Sequence, residues 1–182
     1  QTVIIHDGTV TINGIHTFAH VLVKEDGILT HAGATTSTTY KMELTVTGKL
    51  VIGKQAKVSV SGRGYLGGYR GGNTGTCGRT LGNIAGSCTR SGGSYGGYGG
   101  KYGTFAVNGP YGSVYRPAHP GSGGGGEYVS QPGGSGGGVI QVTANEVIAD
   151  GEISAGGGST NDAGAGSGGS ILLNAAILKG GG

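Results

Sequence analysis

Glycine occupies 46 of the 182 positions, and it is not spread evenly. It punctuates the chain as far as about Ser61, dominates from Gly62 to about Gly138, and crowds again into a shorter stretch between Ser154 and Ser170. A residue without a side chain fills no core and loses more backbone freedom on folding than any other. Such stretches become ordered only where backbone packs directly on backbone. Collagen is excluded, because the glycines keep no Gly-X-Y period and only 4 prolines are present. General disorder is excluded too, since only 12% of residues are charged and Val, Ile and Thr recur in runs toward both ends.

Those runs read as short strands. Before the insertion they cover 2–5, 9–12, 20–24, 28–31, 42–46, 49–52 and 57–60, separated by Asp7-Gly8, Asn13-Gly14, Asp26-Gly27, Gly48 and Gly53. After it they cover 139–143, 146–149, 151–154, 170–174 and 176–179. No helical period competes with them.

The strands on the two sides of the insertion repeat one another. Leu44-Thr45-Val46-Thr47, Lys49-Leu50-Val51-Ile52 and Val58-Ser59-Val60 form one triplet leading into glycine. Ile140-Gln141-Val142-Thr143, Glu146-Val147-Ile148-Ala149 and Gly151-Glu152-Ile153-Ser154 form a second, and Ile171-Leu172-Leu173-Asn174 with Ala176-Ile177-Leu178-Lys179 begin a third. Matched triplets mark a repeat architecture. Three short strands joined by tight turns make one rung of a right-handed parallel β-helix, so the expected fold is an all-β solenoid in a single domain spanning 1–182. Its parts are N-terminal strand coils (1–61), a glycine- and tyrosine-rich insertion (62–138) and C-terminal coils (139–182). An antiparallel β-sandwich is the alternative; it accounts for the strands but not for their matched order.

Within the insertion, Cys77 and Cys88 are the only cysteines, and no histidine stands between them to complete a metal site. A disulfide is expected, with an oxidising compartment and hence an extracellular or cell-surface location. Gln1 is not an initiating residue, and secretory processing is the simplest account of it. No apolar run is long enough to span a membrane. Tyr65, Tyr69, Tyr95, Tyr98, Tyr102 and Tyr111 punctuate the glycines, either as packing anchors over bare backbone or as faces for a ligand such as a sugar ring.

Tyr111-Gly112-Ser113, Gly121-Ser122-Gly123-Gly124-Gly125, Gly133-Gly134-Ser135-Gly136-Gly137-Gly138-Val139-Ile140, Asp150-Gly151-Glu152-Ile153-Ser154 and Gly166-Ser167-Gly168-Gly169-Ser170-Ile171 follow in an order that resembles the glycine-rich β-helical repeats of very large secreted adhesin-like, matrix and filament proteins. The resemblance covers roughly 60–182. It implies a structural or adhesive role and transfers no catalytic residue. The expected partners are further copies of the chain or other extracellular structural proteins.

Other chemistry finds little support. The net charge of +3 comes from scattered basic residues, without a nucleic-acid footprint. His16 and His20 have a metal-pair spacing only on a helix, and they read as surface histidines of a strand region. Asp150 and Glu152, with Glu146 nearby, read as a solvated turn rather than an acid–base pair or a calcium site. The repeats present Thr, Ser, Lys and Val where polysaccharide-cleaving β-helices carry rows of catalytic groups, so neither an enzyme nor a cofactor is expected. The expected function is an extracellular structural subunit that assembles by strand stacking; the alternative is an adhesin binding carbohydrate or a surface protein through the glycine- and tyrosine-rich loops.

Overall fold

The structure, a computed structural model, describes residues 1–182. Its strands are β1 (Thr2–Ile5), β2 (Thr9–Thr11), β3 (Gly14–Phe18), β4 (His20–Val23), β5 (Ile28–Thr30), β6 (Met42–Ile52), β7 (Lys57–Ser59), β8 (Arg79–Thr80), β9 (Ile84–Ala85), β10 (Val139–Ala149), β11 (Glu152–Ser154) and β12 (Ser170–Lys179). One 3-10 turn, Leu81–Asn83, is the sole helical element. A six-stranded sheet has the order β1-β4-β6-β10-β12 with β3 also on β6, and a four-stranded sheet has the order β11-β7-β5-β2.

The expected right-handed parallel β-helix is not what these strands form. The first two triplets each supply two strands rather than three, and the third supplies one. The segments 42–46 and 49–52 are one strand of 11 residues, because the ladder to β10 runs on through a register shift that sets Thr47 and Gly48 against Asn145. Asn145 likewise does not interrupt β10, and β12 is continuous over 10 residues. The result is two facing parallel sheets without a closed three-walled coil, and β12 has no counterpart in the smaller sheet. The antiparallel sandwich fails as well, since every pairing in both sheets is parallel and only the two-residue strands β8 and β9 pair antiparallel.

Alternation puts the core between the sheets. Met42, Leu44, Val46, Leu50 and Ile52 of β6 point inward, with Ile140, Val142 and Val147 of β10, and meet Leu29 and Val58 from the smaller sheet; Thr45 and Thr47 point out. Burial of such side chains is worth about 1.5–3 kcal/mol each. The core thins at its two ends. Val3, Ile12 and Phe18 are only partly buried at the β1 end, as are Ile153, Leu173 and Ala175 at the β12 end.

The glycine stretches form a lattice of extended segments. Successive amides of 121–126 turn to different neighbours with a repeat of three. Gly121 and Gly124 donate to Gly137 and Gly134, Gly123 and Gly126 to Arg79 and Thr76, and Gly125 to Ser91. The segment 133–138 behaves alike, with Gly133 and Gly136 donating to Gly68 and Tyr65, and Gly134 and Gly137 to Gly164 and Ser167. Three residues per turn is the period of a polyproline-II-type helix, which has no internal hydrogen bonds and must find all its partners outside. Here the partners are neighbouring extended segments: 121–126 runs antiparallel to 134–137 and to 76–79, 133–136 antiparallel to 65–68, and 134–137 parallel to 164–167. Glycine is required because the backbones touch: a Cβ on Gly124 would meet the Gly164 carbonyl, and one on Gly136 the Gly121 carbonyl, inside the 3.0 Å that real Cβ atoms essentially never breach.

Candidate functional site

The insertion leaves the sheets after β7 and rejoins them at β10, so its turns carry nearly all the side chains it can offer. The Cys77–Cys88 disulfide is formed and ties the segments on either side of the β8–β9 hairpin. The turns at 69–75, 89–90, 101–105 and 127–132, with 159–163 from the shorter stretch, lie farthest along the lattice from β7 and β10. Contacts between them join them: the Arg70 Nε donates to the Gly133 carbonyl at 2.8 Å, and Arg90 pairs with Glu127.

The six tyrosines singled out from the sequence divide into two groups. Tyr65 is buried, and burial raises its phenol above the ordinary range. Tyr95 and Tyr111 meet edge to face at 5.0 Å; the Tyr95 hydroxyl is 2.5 Å from Ser170 Oγ, and the Tyr111 hydroxyl donates to the Pro120 carbonyl at 2.6 Å. Burial pushes the Tyr111 phenol far up. Tyr69 is half-buried in its turn. Tyr98 and Tyr102 are exposed, and Phe105, which the sequence did not mark out, stacks beside Tyr102 with ring centroids 6.3 Å apart.

Between the glycine segments sits a buried polar cluster that composition did not reveal. The Asn108 Nδ2, with two protons to donate, lies 3.1 Å from Thr80 Oγ1, 3.2 Å from Ser122 Oγ and 3.2 Å from the Ser94 carbonyl. Its Oδ1 accepts from Ser87 Oγ at 2.8 Å and from the Ser94 N–H at 3.0 Å. Its members are amide and hydroxyl groups that satisfy one another, as buried polar groups must. The arrangement cross-links the segments that carry Thr80, Ser87, Ser94, Asn108 and Ser122.

The remaining sequence candidates are occupied by local contacts. His16 lies on β3 with Nε2 3.0 Å from the Asn13 carbonyl, and His20 lies on β4, where Nδ1 accepts from the Lys49 N–H at 3.1 Å. Glu146 bridges Lys49 at 2.9 Å and Lys179 at 2.8 Å, and hydrogen bonds from Lys179 and then Lys49 hold its carboxyl below the usual range. Glu152 pairs with Lys57 at 3.2 Å, and Asp150 accepts from the Gly181 N–H. One grouping was missed by the sequence: stacking of β1 on β4 brings His6, Asp7 and Glu25 together, with donor atoms within 4.8 Å of one another. All three are exposed, and His6 Nδ1 already lies 3.2 Å from Glu25 Oε1.

No protein-family model matches the chain, and no curated protein or solved structure matches it.

Proposed function

We propose that this chain is a non-enzymatic structural module of an extracellular filament, sheath or matrix, and that copies join through their open strand edges. The observation that carries this reading is the state of the core's two ends. Partly covered apolar residues lie at both, beside parallel strands that have a partner on one side only: β12 pairs only β10, and β3 pairs only β6. An unpaired edge is a template for another strand.

The two edges match in register. Ile171–Ala175 closes the rows that Gly14–Phe18 opens, since both are aligned residue for residue through β6 and β10. A second copy set with its β3 against β12 would continue the ladder and bring Ile15, exposed to 77%, beside Leu172. β1 already covers β4, so this contact is confined to the first half of β12. The disulfide supports an oxidising compartment, and no helix is long and apolar enough to cross a membrane. A lattice in which each segment is hydrogen-bonded to several others suits a load-bearing part.

Sedimentation at rising concentration tests the reading. Association should appear in the native chain, vanish in Ile15→Lys without loss of melting temperature, and return when Leu172→Glu on the opposite edge is added. A strictly monomeric native chain at high concentration, or association unchanged by Ile15→Lys, overturns it.

A further inference from the structure

A lattice of bare backbone can present chemistry only at its turns, and one turn does so with unusual order. Tyr98, Lys101 and Phe105 line a cleft of about 490 Å³ with Gly99, Thr104, Ala106 and Val107. Tyr98 is 76% exposed, Tyr102 45% and Phe105 43%. The Tyr102 and Phe105 rings lie within 7° of parallel.

These rings are held in place. The Tyr102 N–H donates to the buried Ser91 Oγ at 3.1 Å, and the Phe105 N–H donates to the Tyr102 carbonyl at 3.1 Å. The Arg90 guanidinium sits 5.3 Å from the Tyr102 ring centroid and is itself fixed by Glu127. An aromatic face fixed in this way, as that of Phe105 is, binds flat, weakly polar ring faces at low entropic cost. Charge narrows the ligand further. Lys101 and Arg90 bring two cations, Glu127 brings one carboxylate, and Lys101 belongs to none of the chain's ion pairs.

We infer that this turn is a binding site for an acidic pyranose glycan, whose sugar faces lie on Phe105 and Tyr98 and whose carboxylate or sulfate meets Lys101. The site stands apart from self-assembly, since no residue of the cleft belongs to β12 or β3.

Titration calorimetry with an oligogalacturonate tests it, with a neutral cello-oligosaccharide and poly-glutamate as controls. Binding should be confined to the acidic sugar and weaken with salt. Tyr98→Ala and Phe105→Ala should each raise Kd about tenfold, while Phe105→Tyr holds it within about twofold. Lys101→Ala should weaken binding several-fold and flatten the salt dependence. Melting temperature, read on each variant, separates lost binding from lost folding. No binding to the oligogalacturonate, equal binding of the neutral sugar or of poly-glutamate, or indifference to the aromatic changes in folded variants overturns the assignment.

Discussion

The Val139 N–H donates to Nε2 of His31 at 3.0 Å across a sequence separation of 108 residues. The same ring's Nδ1 donates to the Ala32 carbonyl at 2.7 Å, so the imidazole is the neutral Nδ1–H tautomer. His31 is fully buried, and it ties the end of β5 to the point where the chain re-enters the sheets from the insertion.

Burial, and then the nearby Arg63 charge, lower the His31 pKa from 6.5, against the raising effect of its bond to Ala32. The unfolded chain therefore takes up a proton first on acidification. The stability this group contributes is whole above 6.5, declines as pH falls below that value, and is gone once pH has passed the folded-state pKa. Thermal unfolding followed from pH 7.5 down to pH 5 should show this decline. His31→Leu should remove its share of the slope and cost about 1–3 kcal/mol at neutral pH by stranding the Val139 N–H.

Gly136→Ala should destabilise the lattice by about 3 kcal/mol or more, because its Cβ would fall on the Gly121 backbone, which has no flexible end to give way. Gly97→Ala is the control: nothing lies within 4 Å of its Cβ, and the change should stay within about 0.5 kcal/mol. Chemical denaturation of the two variants side by side checks both.

Asn108→Leu should cost about 2–3 kcal/mol, since it leaves the Ser87 hydroxyl and the Ser94 N–H without their acceptor inside the lattice. Hydrogen exchange should show faster opening in the insertion while the amides of β6 and β10 stay protected.

Replacing Cys77 and Cys88 with serine should lower stability by about 2–3 kcal/mol, the size expected for closing so short a loop. Denaturation in the presence of reductant should reproduce the shift in the native chain and leave the double variant unmoved.

The strand inventory was largely legible in the sequence, because alternation such as Leu44 and Val46 against Thr45 and Thr47 is a local property of the pleat. Two features misled it. Thr47-Gly48 and Asn145 read as breaks, yet parallel neighbours on both sides carry the ladder past them. β3 was hidden behind Asn13-Gly14 and two histidines, and only its pairing with Met42–Val46 makes it a strand. Among the aromatics, Phe105 stands outside the tyrosine–glycine rhythm, so no local pattern marks it. No local pattern separates Tyr111, packed over backbone, from Tyr102 at a turn.

By itself the sequence determined that the chain is built of β-strands, that Leu44 and Val46 share one face with Thr45 and Thr47 on the other, and that Cys77 and Cys88 have only each other. Those properties follow from side-chain alternation and from counting. Only the tertiary structure decided that the strands fuse into two parallel sheets and which segments of the glycine lattice lie side by side. It also decided that Asn108 and His31 join parts of the chain remote in sequence. The physical reason is that a glycine segment carries no side chain to name its partner. Its amides bond to whichever backbone comes close enough, and that is settled by the packing of the whole.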